Sequence, residues 1–164
     1  MFNTSYTDSI GAHFAGVYAA DGETITAAAG NDNVAVFGIT IDRLALATLF
    51  NSCKLQVPYK AVLAAAKTCA GSLWLQHSAD GSTWTDYTYQ PTGGTHVVAS
   101  SLKTGQSGGS TERGVLESNY SLAGAHQFIR TARTFDLSAT STDTVNIGHT
   151  IINFGGGHDV PAAA

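Results

Sequence analysis

"SLWLQHSADGSTWTDYTYQ", residues 72–90, is the stretch whose reading decides the fold. Two alternating runs flank Ala79-Asp80-Gly81-Ser82. Asp-Gly between such runs is a strong hairpin signal, because it supplies positive φ where a tight turn needs it. Ser78 and Asp80 have side chains that can hydrogen-bond the turn backbone, and Trp84 is placed to cover the hairpin base. On the return run Trp84, Asp86 and Thr88 share one face, and Thr85, Tyr87 and Tyr89 share the other.

The same grammar extends outward. "VAVFGITI", 34–41, is β-branched and apolar on both faces and predicts a strand. "CKLQV", 53–57, and "SLWLQHS", 72–78, also predict strands, but between them 60–70 is rich in Ala and Lys. Propensity favours a helix there; the flanking strands favour a loop. Further on, "THVVASSL", 95–102, "VLESNYSL", 115–122, and "HQFIRTARTFDLS", 126–138, are strand-like, with "KTGQSGGSTERG", 103–114, as a loop by composition. Ile129, Thr131, Arg133, Phe135 and Leu137 lie on one side. "DTVNIGHTIINF", 143–154, predicts one long strand with Val145, Ile147, His149 and Ile151 on one face. Short strands separated by turn signals predict an all-β antiparallel sandwich or jelly roll with an N-terminal arm. The expected division is an arm and first turn over 1–33, a sandwich over 34–157 and a tail over 158–164. In the arm, Ile10, Phe14, Val17 and Tyr18 fall at helical spacing, Gly11 and Gly16 oppose a helix, and an irregular aromatic-tagged arm fits equally well.

"SADGSTW", 78–84, also nearly spells the Asp-box of sialidases, but one residue is missing between Asp80 and Gly81, and the motif occurs once. A propeller of roughly four to eight blades does not fit in 164 residues. The turn therefore reads as a fold element.

Composition narrows the function. Charged residues are 12% of the chain, against about 25% in an average domain, so the surface is polar through hydroxyls. A net charge of -4 with scattered basic residues argues against direct nucleic-acid binding. No run approaches the ~20 apolar residues of a membrane span. "MFNTSYTDSIGAHFAGVYAA" lacks a signal peptide's basic n-region, so the expected site of synthesis is a cytoplasm. Cys53 and Cys69 match no zinc or redox spacing and read as two thiols in the fold.

Chemistry is sparse. No two of the six histidines sit at the spacing that puts two metal ligands on one face. "TGQSGGST", 104–111, lacks the Gly-Lys-Ser/Thr ending of a phosphate loop, and there is no nucleophile elbow. Asp80 with Asp86, or Glu112 with Glu117, reads as surface charge, since a glycosidase dyad needs a cleft. The expectation is a non-enzyme with no catalytic residues, cofactor or metal.

"VPYKAVLAAAKT", 57–68, "SLWLQHSADGSTWTDY", 72–87, and "HQFIRTARTFDLSATSTDTVNIGHTIINFGGGHDVPA", 126–162, resemble the cement or decoration proteins of tailed bacteriophages. The similarity covers roughly 34–162. It implies a jelly-roll protein on the outer surface of a capsid, assembled in the host cytoplasm. It further implies binding to the major capsid protein as a homo-oligomer, a dimer or trimer. Low charge lowers the desolvation cost of packing on a shell, and repetition over a shell multiplies modest contacts. The interface residues expected are Phe2, Tyr6, Phe14 and Tyr18 in the arm, with Val160 and Pro161 in the tail. The alternative is a carbohydrate-binding β-sandwich of a phage adsorption or fibre protein. There Trp74, Trp84, Tyr87 and Tyr89 are the aromatic candidates, and Tyr87 and Tyr89 share a face for stacking on a glycan.

Overall fold

Along Phe50–Leu63 every second side chain from Cys53 onward is withdrawn from water: Cys53, Leu55, Val57, Tyr59, Ala61 and Leu63. That period of two belongs to a half-buried strand, and sheet pairing carries it through the Ala- and Lys-rich stretch against helix propensity. The structure is a computed structural model that describes residues 14–46, 49–88, 97–139 and 142–157, without the side chains of 97–101, 156 and 157.

The strands are β1 (Ala15–Ala20), β2 (Glu23–Thr26), β3 (Val36–Phe37), β4 (Ile41–Asp42), β5 (Phe50–Leu63), β6 (Thr68–Ser78), β7 (Thr85–Asp86), β8 (Val97–Thr104), β9 (Ser110–Ser121), β10 (Phe128–Leu137), β11 (Thr144–Ile147) and β12 (Thr150–Gly157). They form two antiparallel sheets. In the first, β5 is central: β9 pairs along one side of it, and β12 and β11 share the other, extended by β1 and β2. In the second, β6 and β10 pair along Cys69–Ser78, with β3 and β4 on the outer side of β10 and β7 and β8 on the outer side of β6. The fold is all-β, an antiparallel sandwich of the jelly-roll class, as the alternation predicts.

The core lies between the sheets. Leu55, Val57, Tyr120, Ile152 and Phe154 of the first meet Leu73, Leu75, Ile129 and Phe135 of the second. The rings of Tyr59 and Phe135 sit 5.9 Å apart across it. The Leu75 backbone N–H donates to the Tyr120 hydroxyl at 3.2 Å, a polar tie between the sheets. Ile129, Thr131, Arg133, Phe135 and Leu137 share one side, as predicted, and that side faces inward.

Several expectations change. Residues 15–26, assigned to the arm, are β1 and β2 of the first sheet, and Ala19 and Ile25 are core residues. Residues 15–20 are extended rather than helical, because pairing with β12 satisfies their backbone. The strand expected over 34–41 shrinks to β3 and β4, and Val34, Phe37 and Ile39 are exposed. The 60–70 region is strand, a turn over 64–67, and strand again, with Ala66 at φ 61°. The 103–114 loop is confined to 105–109; its flanks belong to β8 and β9.

The long strand over 143–154 is two. Ile147 pairs with Tyr59 and Ile151 with Gln56, so the later strand carries one extra residue there. The irregularity faces Pro58, which has no N–H to give the ladder. Gly148 closes the gap by donating its N–H to the Pro58 carbonyl at 2.8 Å. A bulge of one residue turns the face over, so His149 and Ile151 point to solvent while Thr150 and Ile152 point in.

Candidate interaction surface

The 78–84 turn is built as its residues predict. Asp80 Oδ1 accepts the backbone N–H groups of Ser82 and Thr83, each at 2.8 Å, and Ser78 Oγ accepts that of Gly81 at 2.9 Å. Gly81 holds φ +74°. The converging backbone donors hold the Asp80 carboxyl well below the usual carboxylate range. These bonds go to the turn itself, which gives the motif a structural duty.

The outer face of the first sheet carries a hydrogen-bonded polar cluster. Lys54 pairs with Glu117 at 2.8 Å, Gln56 donates to Glu117 at 2.5 Å, and Asn153 donates to Gln56 at 2.7 Å. Phe14 and Tyr18 rim this face, 53% and 43% exposed. The Phe14 ring rests on Gly155, where a Cβ would lie 3.0 Å from it. Tyr18 tilts against His149, ring centroids 5.6 Å apart. Asp21 beside it raises the phenol. Phe14 shares a groove of about 330 Å³ with Lys54, Asn119, Tyr120 and Asn153. Tyr18 shares one of about 280 Å³ with Asp21, Glu23, Phe37, Ile39 and Arg133. Phe2, Tyr6, Val160 and Pro161 lie outside the described residues.

The second sheet carries a different outer feature, absent from the sequence reading. The Arg130 guanidinium lies 4.4 Å from the Phe37 ring centroid and 4.3 Å from that of Trp84. Arg130 Nε donates to Gln76 at 2.8 Å, and Gln76 donates to Asp86 at 2.8 Å. Alternation along β10 places Arg130 outward and Arg133 inward. Only tertiary pairing brings Phe37 and Trp84 to Arg130.

For a glycan platform the structure corrects one candidate. Tyr87 is 5% exposed, its ring turned into the core and its hydroxyl donating to the Ala123 carbonyl at 2.6 Å. It offers no free face, because its backbone N–H donates to the Leu75 carbonyl at 2.8 Å and its ring joins the core cluster. Trp74 is also buried, and its indole N–H donates to Asp86 at 3.0 Å. Tyr89 lies outside the described residues. Trp84 remains partly accessible.

Cys53 and Cys69 are free and buried, and burial pushes both thiols up to about 12. Among the described residues no cluster of three or more His, Cys, Asp or Glu side chains is placed to hold a metal ion. No helix among them is long and apolar enough to cross a membrane.

No family model matches the chain, and no curated protein matches it. Solved structures do. A chain in the structure of infectious bursal disease virus, Gt strain, superposes with a TM-score of 0.51 at 9% identity, over 90% of this chain and 34% of that one. The PBSX exported protein XepA superposes with a TM-score of 0.44 at 12% identity, over 92% of this chain and 39% of that one. This chain thus spans little more than a third of either. The virus chain contains a similar β-sandwich.

Proposed function

We propose that this is a structural virion protein, a cement or decoration protein on the outer surface of a tailed-phage capsid. In this reading it stabilises contacts between major capsid protein subunits as a homo-oligomer. The observation that carries it is the outer face of the first sheet. On that face Lys54 and Glu117 are already paired, Gln56 and Asn153 are hydrogen-bonded beside them, and Phe14 and Tyr18 are exposed at its rim. Charges already paired cost less to desolvate against a partner than free ones, and exposed aromatic side chains are enriched at interfaces. A sandwich that also occurs in a virus chain supports the reading through the fold.

Co-sedimentation with tailed-phage shells stripped of their decoration tests it. Saturable binding is expected, weakened at least tenfold when Phe14→Glu and Tyr18→Glu are combined. Absence of saturable binding by folded protein overturns the proposal.

The Phe37–Arg130–Trp84 stack beside Gln76 and Asp86 favours a second reading, a carbohydrate-binding module. Aromatic planes next to planar polar groups suit sugar rings and their hydroxyls. Glycan-array binding that disappears in Trp84→Ala, with the fold intact, selects that reading.

A further inference from the structure

β9 is an edge strand unlike the others. Edge strands are ordinarily short, bulged, or guarded by Pro or by charged side chains, Lys above all, which prevents pairing with a strand that does not complement those charges. Here β3, β4 and β7 are two residues long, β2 is four, and the ladders of β1 and β8 each carry a register shift. β9 runs twelve residues in unbroken register with β5, contains neither Lys nor Pro, and pairs with no other strand among the described residues.

Its sequence is complementary to itself. An antiparallel pair of β9 strands related by a two-fold axis at Val115 sets Arg113 of each copy opposite Glu117 of the other. Thr111 then faces Asn119, and the two Val115 side chains, each 51% exposed in one chain, cover one another. On the inner face Glu112 comes opposite Ser118, whose buried hydroxyl has no hydrogen-bond partner. Gly114 comes opposite Leu116 and leaves it room. Within one chain Arg113 sits directly across from Lys60, a repulsive like-charge pair, and neither has a carboxylate partner among the described residues. The carboxylate of the second copy's Glu117, which also holds Lys54 and Gln56 of its own chain, supplies it.

We infer that β9 is a dimerisation edge: two copies of this chain join β9 to β9 antiparallel about Val115, extending the first sheet continuously through both. The inference gives the homo-oligomer of the proposed function a specific surface. It is tested on the protein alone, so loss of shell binding would leave it standing.

Sedimentation velocity of the full chain gives the mass, and circular dichroism confirms that each variant is folded. A dimer is expected. Arg113→Glu and Glu117→Arg, each alone, place like charges opposite one another twice per dimer and weaken association at least tenfold. Mixing the two variants restores a one-to-one dimer, because each supplies the charge the other lacks. Val115→Glu is the second variant should either reversal fail to fold, and it also yields monomer. A monomeric or trimeric wild type overturns the inference. So does a dimer indifferent to these substitutions, or a mixture of the two reversals that stays monomeric.

Discussion

The backbone N–H of His126 donates to Nδ1 of His77 at 3.2 Å, and the two imidazoles stack 4.3 Å apart, 18° from parallel. An accepting Nδ1 carries no proton, so His77 is neutral with its proton on Nε2. Arg43 holds the same loop from the other side, donating to the Ala125 carbonyl at 2.7 Å and to that of His126 at 3.2 Å. Tyr87 closes the remaining side of His77, ring centroids 5.0 Å apart.

Burial, and then the neighbouring His126, lower the pKa of His77. A histidine depressed in the folded state binds more protons when unfolded. Stability therefore falls as pH drops below about 6.5, and levels off below the folded value. Thermal unfolding from pH 7.5 to 5 should show this decline, and His77→Gln should flatten it. An unchanged slope in the variant would assign the dependence elsewhere.

Asp80 acts in the same direction, lower on the pH scale. Its carboxyl is depressed by the Thr83 and Ser82 N–H groups. Its contribution is complete above the unfolded carboxylate value of about 3.9 and is lost progressively below it. Asp80→Ala lowers the melting temperature at pH 7, Asp80→Asn lowers it less, and the gap to wild type narrows below about pH 4. An equal melting temperature for Asp80→Ala would show that Gly81 alone sustains the turn.

Arg133 is 2% exposed. It donates to Thr150 Oγ, to the Asp21 carbonyl at 2.5 Å and to Glu23 at 3.4 Å. These bonds join β10 of one sheet to the β1–β2 turn and β12 of the other. Arg133→Ala leaves Glu23 unpaired beside a cavity and is expected to cost about 3 kcal/mol. Arg133→Lys keeps the charge but not the fork, and should recover only part of it. Urea unfolding midpoints measure both.

Two phenylalanines separate core from surface. Phe154 is fully buried and stacks on Phe50 at 5.5 Å, so Phe154→Ala should cost about 3–5 kcal/mol. Phe37 is 47% exposed and loses chiefly its contact with Arg130. Phe37→Ala should cost about 1 kcal/mol or less. Comparable losses in denaturant unfolding would mean that Phe37 is covered by a neighbour.

The alternation of 126–138, the Asp-Gly turn and the absence of long helical runs were enough to establish an all-β sandwich, because side-chain period and turn chemistry are local properties. That alternate residues from Ile129 to Leu137 share one side was legible for the same reason. The strands of 15–26 were not, since Ala, Gly and Thr carry little hydrophobic contrast and only β12 and β11 give them partners. Local sequence also left unsettled whether 60–70 was helix or loop, and sheet pairing settled it.

The candidate surfaces were read less completely. Phe14 and Tyr18 stood out as aromatics near the start of the chain, but their place at the rim of the first sheet's outer face depends on strands more than 130 residues later in the chain. Tyr87 shows the limit of alternation, which assigns a residue to one of two faces without saying which is buried. Residue order by itself therefore determined the class of the fold, its main turn and which residues of β10 share a side. The tertiary structure decided which edges are guarded, where Pro58 forces the bulge and which distant rings enclose Arg130, because those depend on contacts between strands far apart along the chain.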